Sequence, residues 1–190
     1  MSTPRSTPER EQAFRAVHAA TSADLERFVR RRAGPDAVDD VVADTYLVVW
    51  RRLEEVPRAP DDARAWTFGV ARHVLLTRQR ADGRREALGV RLAATGVPAP
   101  GETSDAEADA AARRVDVGRA WHLLSDVHQE ALSLSVFEGL DAPRAAAVLG
   151  VSPVAYRLRL SRARRALRLH LDHPPQPRPV RAGHPDRSPT

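Results

Sequence analysis

Four residues, Gly150-Val151-Ser152-Pro153, constrain the fold of this chain more than any other stretch. Glycine is the residue that takes the left-handed turn ending a helix, and serine is a preferred N-cap. Proline at a first helical position costs nothing, because its missing N–H would be unpaired there anyway. Val151 is placed to plug the corner between them. Two helices must therefore meet at a sharp bend. The one before it, residues 142–149, is built of small residues that allow close approach to another backbone, and the one after it runs from Pro153 to about Leu171. Residues 140–167 as a whole have the grammar of a helix-turn-helix.

The second helix sorts by face. Tyr156, Leu160, Ala163 and Leu167 recur at helical spacing and should pack inward. Arg157, Leu158, Ser161, Arg162 and Arg165 lie on the other side, with Arg159, Arg164 and Arg168 on the flanks. Residues 151–171 thus hold six arginines and no acid. Solvated faces usually mix charge signs, so so pure a run points to a polyanion. Arginine pairs bidentately with guanine in the major groove or clamps phosphates. The alternative, a basic helix lying on an anionic membrane, is weakened by a short inner stripe that includes Ala163. His170 and His173 flank Asp172 at a metal-like spacing, but where helix gives way to Pro174-Pro175.

Charge is unevenly distributed. All 30 basic side chains are arginine, against 25 acidic ones, for a net charge of +5. Residues 1–150 carry 21 arginines and 23 acids, whereas residues 151–190 carry 9 and 2. Genome composition can replace lysine by arginine everywhere, but it does not create this polarity.

Towards the N-terminus, residues 1–8 read as a loose leader, and residues 9–32 as helical with a restart at Thr21/Ser22. Gly34-Pro35-Asp36 breaks the chain. Residues 36–53 place Val38, Val41, Val42, Thr45, Val49 and Leu53 on one stripe of an amphipathic helix. Its acids Asp36, Asp39, Asp40 and Asp44 lie near the N-terminal end and Arg51 and Arg52 near the C-terminal end, as the helix dipole favours. Those acids are either this dipole complement on a solvated face or a docking surface. A third helix, capped by Asp61 or Asp62 and running to about Arg80, has Trp66, Val70, His73, Val74 and Thr77 as its expected inner stripe. Its other side, with the residues that follow, presents Arg72, Arg78, Arg80, Arg84 and Arg85, a first basic surface.

Residues 87–114 are rich in Pro, Gly, small and acidic residues and read as a flexible linker. Helices are expected again at about 115–124 and 126–138, before the helix-turn-helix. Residues 172–190 contain six prolines and read as a disordered tail. No strand-like alternation and no repeat occur, so the fold class is all-α: two small helical domains, 9–86 and 115–171, joined by a linker.

Exclusions follow from residue types. With no cysteine there is no disulfide, thiol nucleophile, zinc knuckle or iron–sulfur site, nor a thiol switch in this chain. No apolar run approaches the roughly 20 residues that span a bilayer, and residues 1–12 lack a signal-peptide core, so a soluble, cytoplasmic protein is expected. No catalytic triad, phosphate loop or zinc-protease motif is present, so neither an enzyme activity nor a cofactor is expected.

Two basic helical surfaces on separate helical units suggest a protein gripping two stretches of DNA. At this point the residues resemble the extracytoplasmic-function (ECF) sigma factors of bacterial RNA polymerase, the group 4 members of the sigma-70 family. Residues 39–52, Asp-Asp-Val-Val-Ala-Asp-Thr-Tyr-Leu-Val-Val-Trp-Arg-Arg, look like the family's polymerase-binding helix. Residues 64–73, Arg-Ala-Trp-Thr-Phe-Gly-Val-Ala-Arg-His, look like its promoter-melting helix, in region 2. Residues 124–140 followed by the helix-turn-helix are similar to its region 4.

The resemblance implies docking on the coiled coil of the polymerase's largest subunit through Asp39, Asp40, Asp44 and Arg51, with region 4 near the flap. It implies capture of the −10 element as single-stranded DNA by the loop 54–63 and the helix 64–80. Trp66 and His73 belong to that helix, Arg72, Arg78 and Arg80 would hold phosphates, and Phe68 would either stack on a base or pack in the core beside Trp66. The recognition helix would enter the −35 major groove, with Arg157, Leu158, Ser161 and Arg162 nearest bases and Arg159, Arg164 and Arg165 on phosphates. The linker would run near the RNA exit path, and an anti-sigma protein is an implied partner. The chain departs from the family's common residues at Ala43, His73 and Thr77, usually Gln, Asn and Asp, and at Ala155, Tyr156 and Leu158. Two other readings compete: a helix-turn-helix regulator acting without polymerase, and an interaction protein whose basic helix binds an acidic partner.

Overall fold

A computed structural model describes residues 6–81 and 105–173, and among them every regular element is helical. Residues 1–5 of the leader, Arg84 and Arg85, the linker from 87 to 104 and the tail from 174 onward lie outside the described residues.

Helix α1 (Thr7–Arg30) starts where the Glu9 carboxylate accepts from the Ser6 backbone N–H at 2.8 Å. It runs through Thr21 without the expected restart. The Thr21 hydroxyl donates to the carbonyl of Val17 (2.8 Å), one turn back, rather than capping a new helix, and lies 3.0 Å from the Tyr46 hydroxyl. A 3-10 turn at Pro35–Ala37 leads into α2 (Val38–Arg51), whose buried side is Val38, Val41, Thr45, Tyr46 and Val49, close to the expected stripe.

Helix α3 (Pro60–Ala81) differs from its expected phase. Its buried residues include Ala65, Phe68, Ala71 and Leu75, while His73 and Thr77 are exposed. The reason is tertiary: α3 is covered from one side by α1 and α2 and from another by α6 (Ala142–Leu149), so no single stripe describes it.

Helix α4 (Asp105–His122) begins ten residues before the expected resumption at Val115, through a stretch read as linker. Alanine-rich sequence with acids towards its start suits a helix once the following turns anchor it. Helices α5 (Asp126–Val136), α6 and α7 (Pro153–Asp172) complete the second unit. The bend is built as its residues require. Gly150 is left-handed (φ 66°, ψ 36°), and the Ser152 side chain accepts from Ala155 N–H at 3.1 Å. A second left-handed glycine, Gly139 (φ 62°), turns the chain between α5 and α6. Tyr156 and Ala163 are buried, with Leu160 and Leu167 partly so, and the Tyr156 hydroxyl donates to the Ala131 carbonyl at 3.0 Å.

The two units share one core. Leu25, Phe28, Val49 and Phe68 of the first belong to the same buried cluster as Ala131, Leu134, Ala145 and Tyr156 of the second. The small residues of α6 make this possible: a Cβ placed on Gly69 would lie 3.8 Å from the Val148 Cα, so the helices meet at backbone contact distance.

Candidate nucleic-acid interface

Helix α7 turns its charge outward. Arg157, Leu158, Ser161, Arg162, Arg164 and Arg165 are exposed, and Arg159 is half-buried. Leu158 is 52% exposed, which leaves an apolar side chain standing among guanidinium groups where a thymine methyl could meet it. A rigid N-cap and a packed inner stripe hold these side chains on one surface.

The basic side of α3 is more engaged. Arg80 and His73 are exposed, and Trp66 is half-buried beneath the Arg52 guanidinium, 5.4 Å from its ring centroid. Phe68 is fully buried and stacks on Phe28, centroids 4.6 Å apart and planes 7° apart. Of its two readings, core packing holds, and the stacking role towards a base is set aside because neither face is free. Arg78 is bound to Asp44 through Nε (3.1 Å) and a terminal nitrogen (2.5 Å), with Asp40 3.6 Å away. The hydrogen bonds that Arg78 donates to Asp44 raise its already high pKa, so its charge is permanent.

On α2, Asp39, Asp40 and Arg51 are exposed, and Asp44 is half-buried in its pair with Arg78. The acidic end of α2 is therefore joined to the basic end of α3, a link that the separate helical readings did not contain.

Arg72 is turned towards the second unit. Its Nε and a terminal nitrogen donate to the two oxygens of Glu130 at 2.5 and 3.1 Å. Beside it, Arg32 is enclosed completely: it donates to the Phe28 carbonyl (2.9 Å), the Ser133 hydroxyl (2.7 Å) and the Glu138 carboxylate (3.3 Å). Burial pulls its pKa down to about 10, against the opposing pull of Glu138 and Glu130, so it stays charged at neutral pH. Arg31 also reaches Glu138, at 2.9 Å, and Arg64 donates to the Glu138 carbonyl at 2.8 Å. At the far end of the seam Arg144 donates to Asp62 at 2.7 Å. Glu130, Glu138, Arg144 and Arg32 were not singled out from sequence, and Asp62 only as a candidate helix cap. Their partners are 58 to 107 residues away, and no local spacing announces such pairs.

Between α3 and α6 the seam opens into a groove of about 690 Å³, lined by Trp66, Arg72 and His73 on one side and Pro143, Ala147 and Gly150 on the other. Among the described residues no cluster of three or more His, Cys, Asp or Glu side chains could hold a metal, and no helix is long and apolar enough to cross a membrane.

Residues 19–85 match the family described as sigma-70 region 2, and residues 115–167 match sigma-70, region 4. The ECF RNA polymerase sigma factor SigL of Mycobacterium tuberculosis is 31% identical over 83% of this chain and 88% of its own length. The RNA polymerase sigma factor CnrH of Cupriavidus metallidurans is 31% identical over 85% and 88%. In three dimensions the chain is similar to CnrH solved in complex with the cytosolic domain of CnrY, with TM-score 0.55 and 27% identity over 85% of this chain and 89% of that one. The fold is also that of RpoE from Bartonella quintana, solved with the anti-sigma factor NepR, with TM-score 0.51 and 23% identity over 88% and 97%. Two matched regions in this order, with a core shared by six helices and relatives aligned over most of both chains, establish that the chain belongs to the ECF group of sigma-70 RNA polymerase sigma factors.

Proposed function

We propose that this sigma factor reads the −35 element with α7 and captures the −10 strand with α3 and the loop before it, having no catalytic activity of its own and working in the cytoplasm. The observation that carries the reading is the outer face of α7, where five exposed arginines and the half-buried Arg159 stand with no acid before the terminal Asp172, on a helix whose opposite face is packed. Arg157, Leu158, Ser161 and Arg162 are nearest the base edges, with Arg159, Arg164 and Arg165 on phosphates. Trp66, Arg72, His73, Arg78 and Arg80 contact the open strand. Flipping a base out of its stack costs a few kcal/mol, offset by contacts available only in the open strand. Asp39, Asp40, Asp44 and Arg51 of α2 dock on the largest polymerase subunit. An anti-sigma protein is a further partner, supported by relatives solved with CnrY and NepR.

The test is reconstitution with bacterial core RNA polymerase on promoters from the chain's own genome. Specific transcripts that require the added chain are expected. Failure with several core enzymes and candidate promoters, or stable promoter binding by a dimer without polymerase, would overturn the reading in favour of an ordinary helix-turn-helix regulator.

A further inference from the structure

We propose that α7 selects methyl groups as well as guanine: Val154 and Leu158 form an apolar ridge that meets two thymine C5-methyl groups in the major groove, beside the guanine paired with Arg162. The proposal rests on the reading of α7 as the −35 helix and names what two of its positions select.

Among the exposed large apolar side chains of the described residues Val154 is the most open, at 70%, and Leu158 stands close by in the same helix. The core has no need of either, since Tyr156 and Ala163 fill the inner face together with Leu160 and Leu167. Four residues separate the two, so they share the outer face and lie about 6 Å apart along the axis at about 1.5 Å per residue. Exposed Ser161 and Arg162 follow one turn on, and exposed Arg157 and Arg165 flank the ridge. Apolar side chains left open in this way mark a contact with a partner. Here their surroundings are arginine, with no acid from 151 to 171, so the partner that matches is a polyanion. The apolar group that duplex DNA offers in its major groove is the thymine methyl.

Placement along the helix agrees. A helix-turn-helix reads base edges with the N-terminal residues of its second helix, and Val154 and Leu158 are the second and sixth residues of α7. That first turn is held firmly: Pro153 opens it, the Ser152 side chain accepts from Ala155 N–H, and the Tyr156 hydroxyl anchors it to the Ala131 carbonyl. Valine in a helix has essentially one side-chain rotamer, so Val154 loses little freedom on contact. A separation of about 6 Å spans about two base steps at about 3.4 Å per pair. The two thymines therefore lie within two steps of each other, and the guanine under Arg162 adjoins them. Leu158 is a position at which the chain departs from the family's common residues, so this preference is the chain's own.

Deoxyuridine tests the methyl directly, because it keeps the hydrogen-bonding groups of thymine and lacks only the C5-methyl. Holoenzyme reconstituted with bacterial core RNA polymerase first selects its −35 element from templates randomised there. Each thymine of the selected element, on either strand, is then replaced by deoxyuridine and holoenzyme affinity is measured. Two positions should each lose about fourfold, the worth of one buried methyl, and the same replacement in the spacer should lose nothing. Leu158→Ser should abolish the loss at one position and Val154→Ser at the other. Both side chains are exposed, and circular dichroism checks that the variants keep their helices. Deoxyuridine without effect at every −35 position, or losses that persist in both variants, would overturn the proposal, while selection that still depends on Arg162 leaves the reading of α7 standing. Affinity lost in the variants with no effect of deoxyuridine would also overturn it and assign the ridge to an apolar protein surface. A selection that returns no −35 preference would overturn the reading of α7 and the proposal with it.

Discussion

Phe68 and Phe28 stack at the centre of the shared core, and each ring also carries a cation: Arg64 lies 4.9 Å from the Phe68 centroid and Arg32 3.6 Å from that of Phe28. Removing one ring would forfeit apolar burial, leave a cavity and loosen two guanidinium groups that belong to the seam. Phe68→Ala should lower the unfolding free energy by about 3–5 kcal/mol in urea titration. Phe68→Leu should cost under about 1.5 kcal/mol and keep promoter melting intact. Melting lost in a well-folded Phe68→Leu protein would return the ring to the DNA. From sequence the two roles were equally open, because Phe68 is two residues from the half-buried Trp66 and two from the core residue Val70. What separates them is the position of Phe28, forty residues earlier, which no local pattern supplies.

Elements differ in how far their sequences foretell them. The turn from α6 into α7 was legible because each of its residues has a local reason, and left-handed Gly150 and capping Ser152 behave as those reasons require. Helix α2 was legible for the same kind of reason, since one side of it faces a core and the other does not. Helix α3 was not, because contact with α1, α2 and α6 buries it on more than one side and moves His73 and Thr77 from the expected interior to the surface. On α7, the face assignment makes a separable prediction. Arg162→Ala should weaken discrimination at one −35 position by about 1–3 kcal/mol. Arg164→Ala should lower affinity evenly across sequences and reduce the salt dependence by about one phosphate contact. Binding isotherms of the holoenzyme on matched and mismatched promoters, at several salt concentrations, distinguish them. Equal behaviour of the two variants would mean the helix lies in the groove with a different face inward.

For the whole molecule, the expectation of two helical units held, but their independence in the free chain did not. Charge read along the sequence suggested a slightly acidic first part and a basic end. In three dimensions the acids Glu130 and Glu138 of the second unit neutralise Arg72, Arg31 and Arg32 of the first, and Asp62 of the first meets Arg144 of the second. Of these seam charges Arg72 also belongs to the surface of α3 proposed to meet DNA, whereas α7 keeps a basic face free of such pairing with the other unit among the contacts described.

The most direct measurement is a footprint of the reconstituted holoenzyme on one of its promoters, combining backbone protection with permanganate detection of unpaired thymines. Two protected patches about 25 base pairs apart are expected, with unpaired thymines only in the downstream one. Arg162→Ala should weaken the upstream patch, and Arg72→Ala should suppress the thymine reactivity while leaving upstream protection. A single protected patch, or the same footprint from the chain without polymerase, would contradict the account.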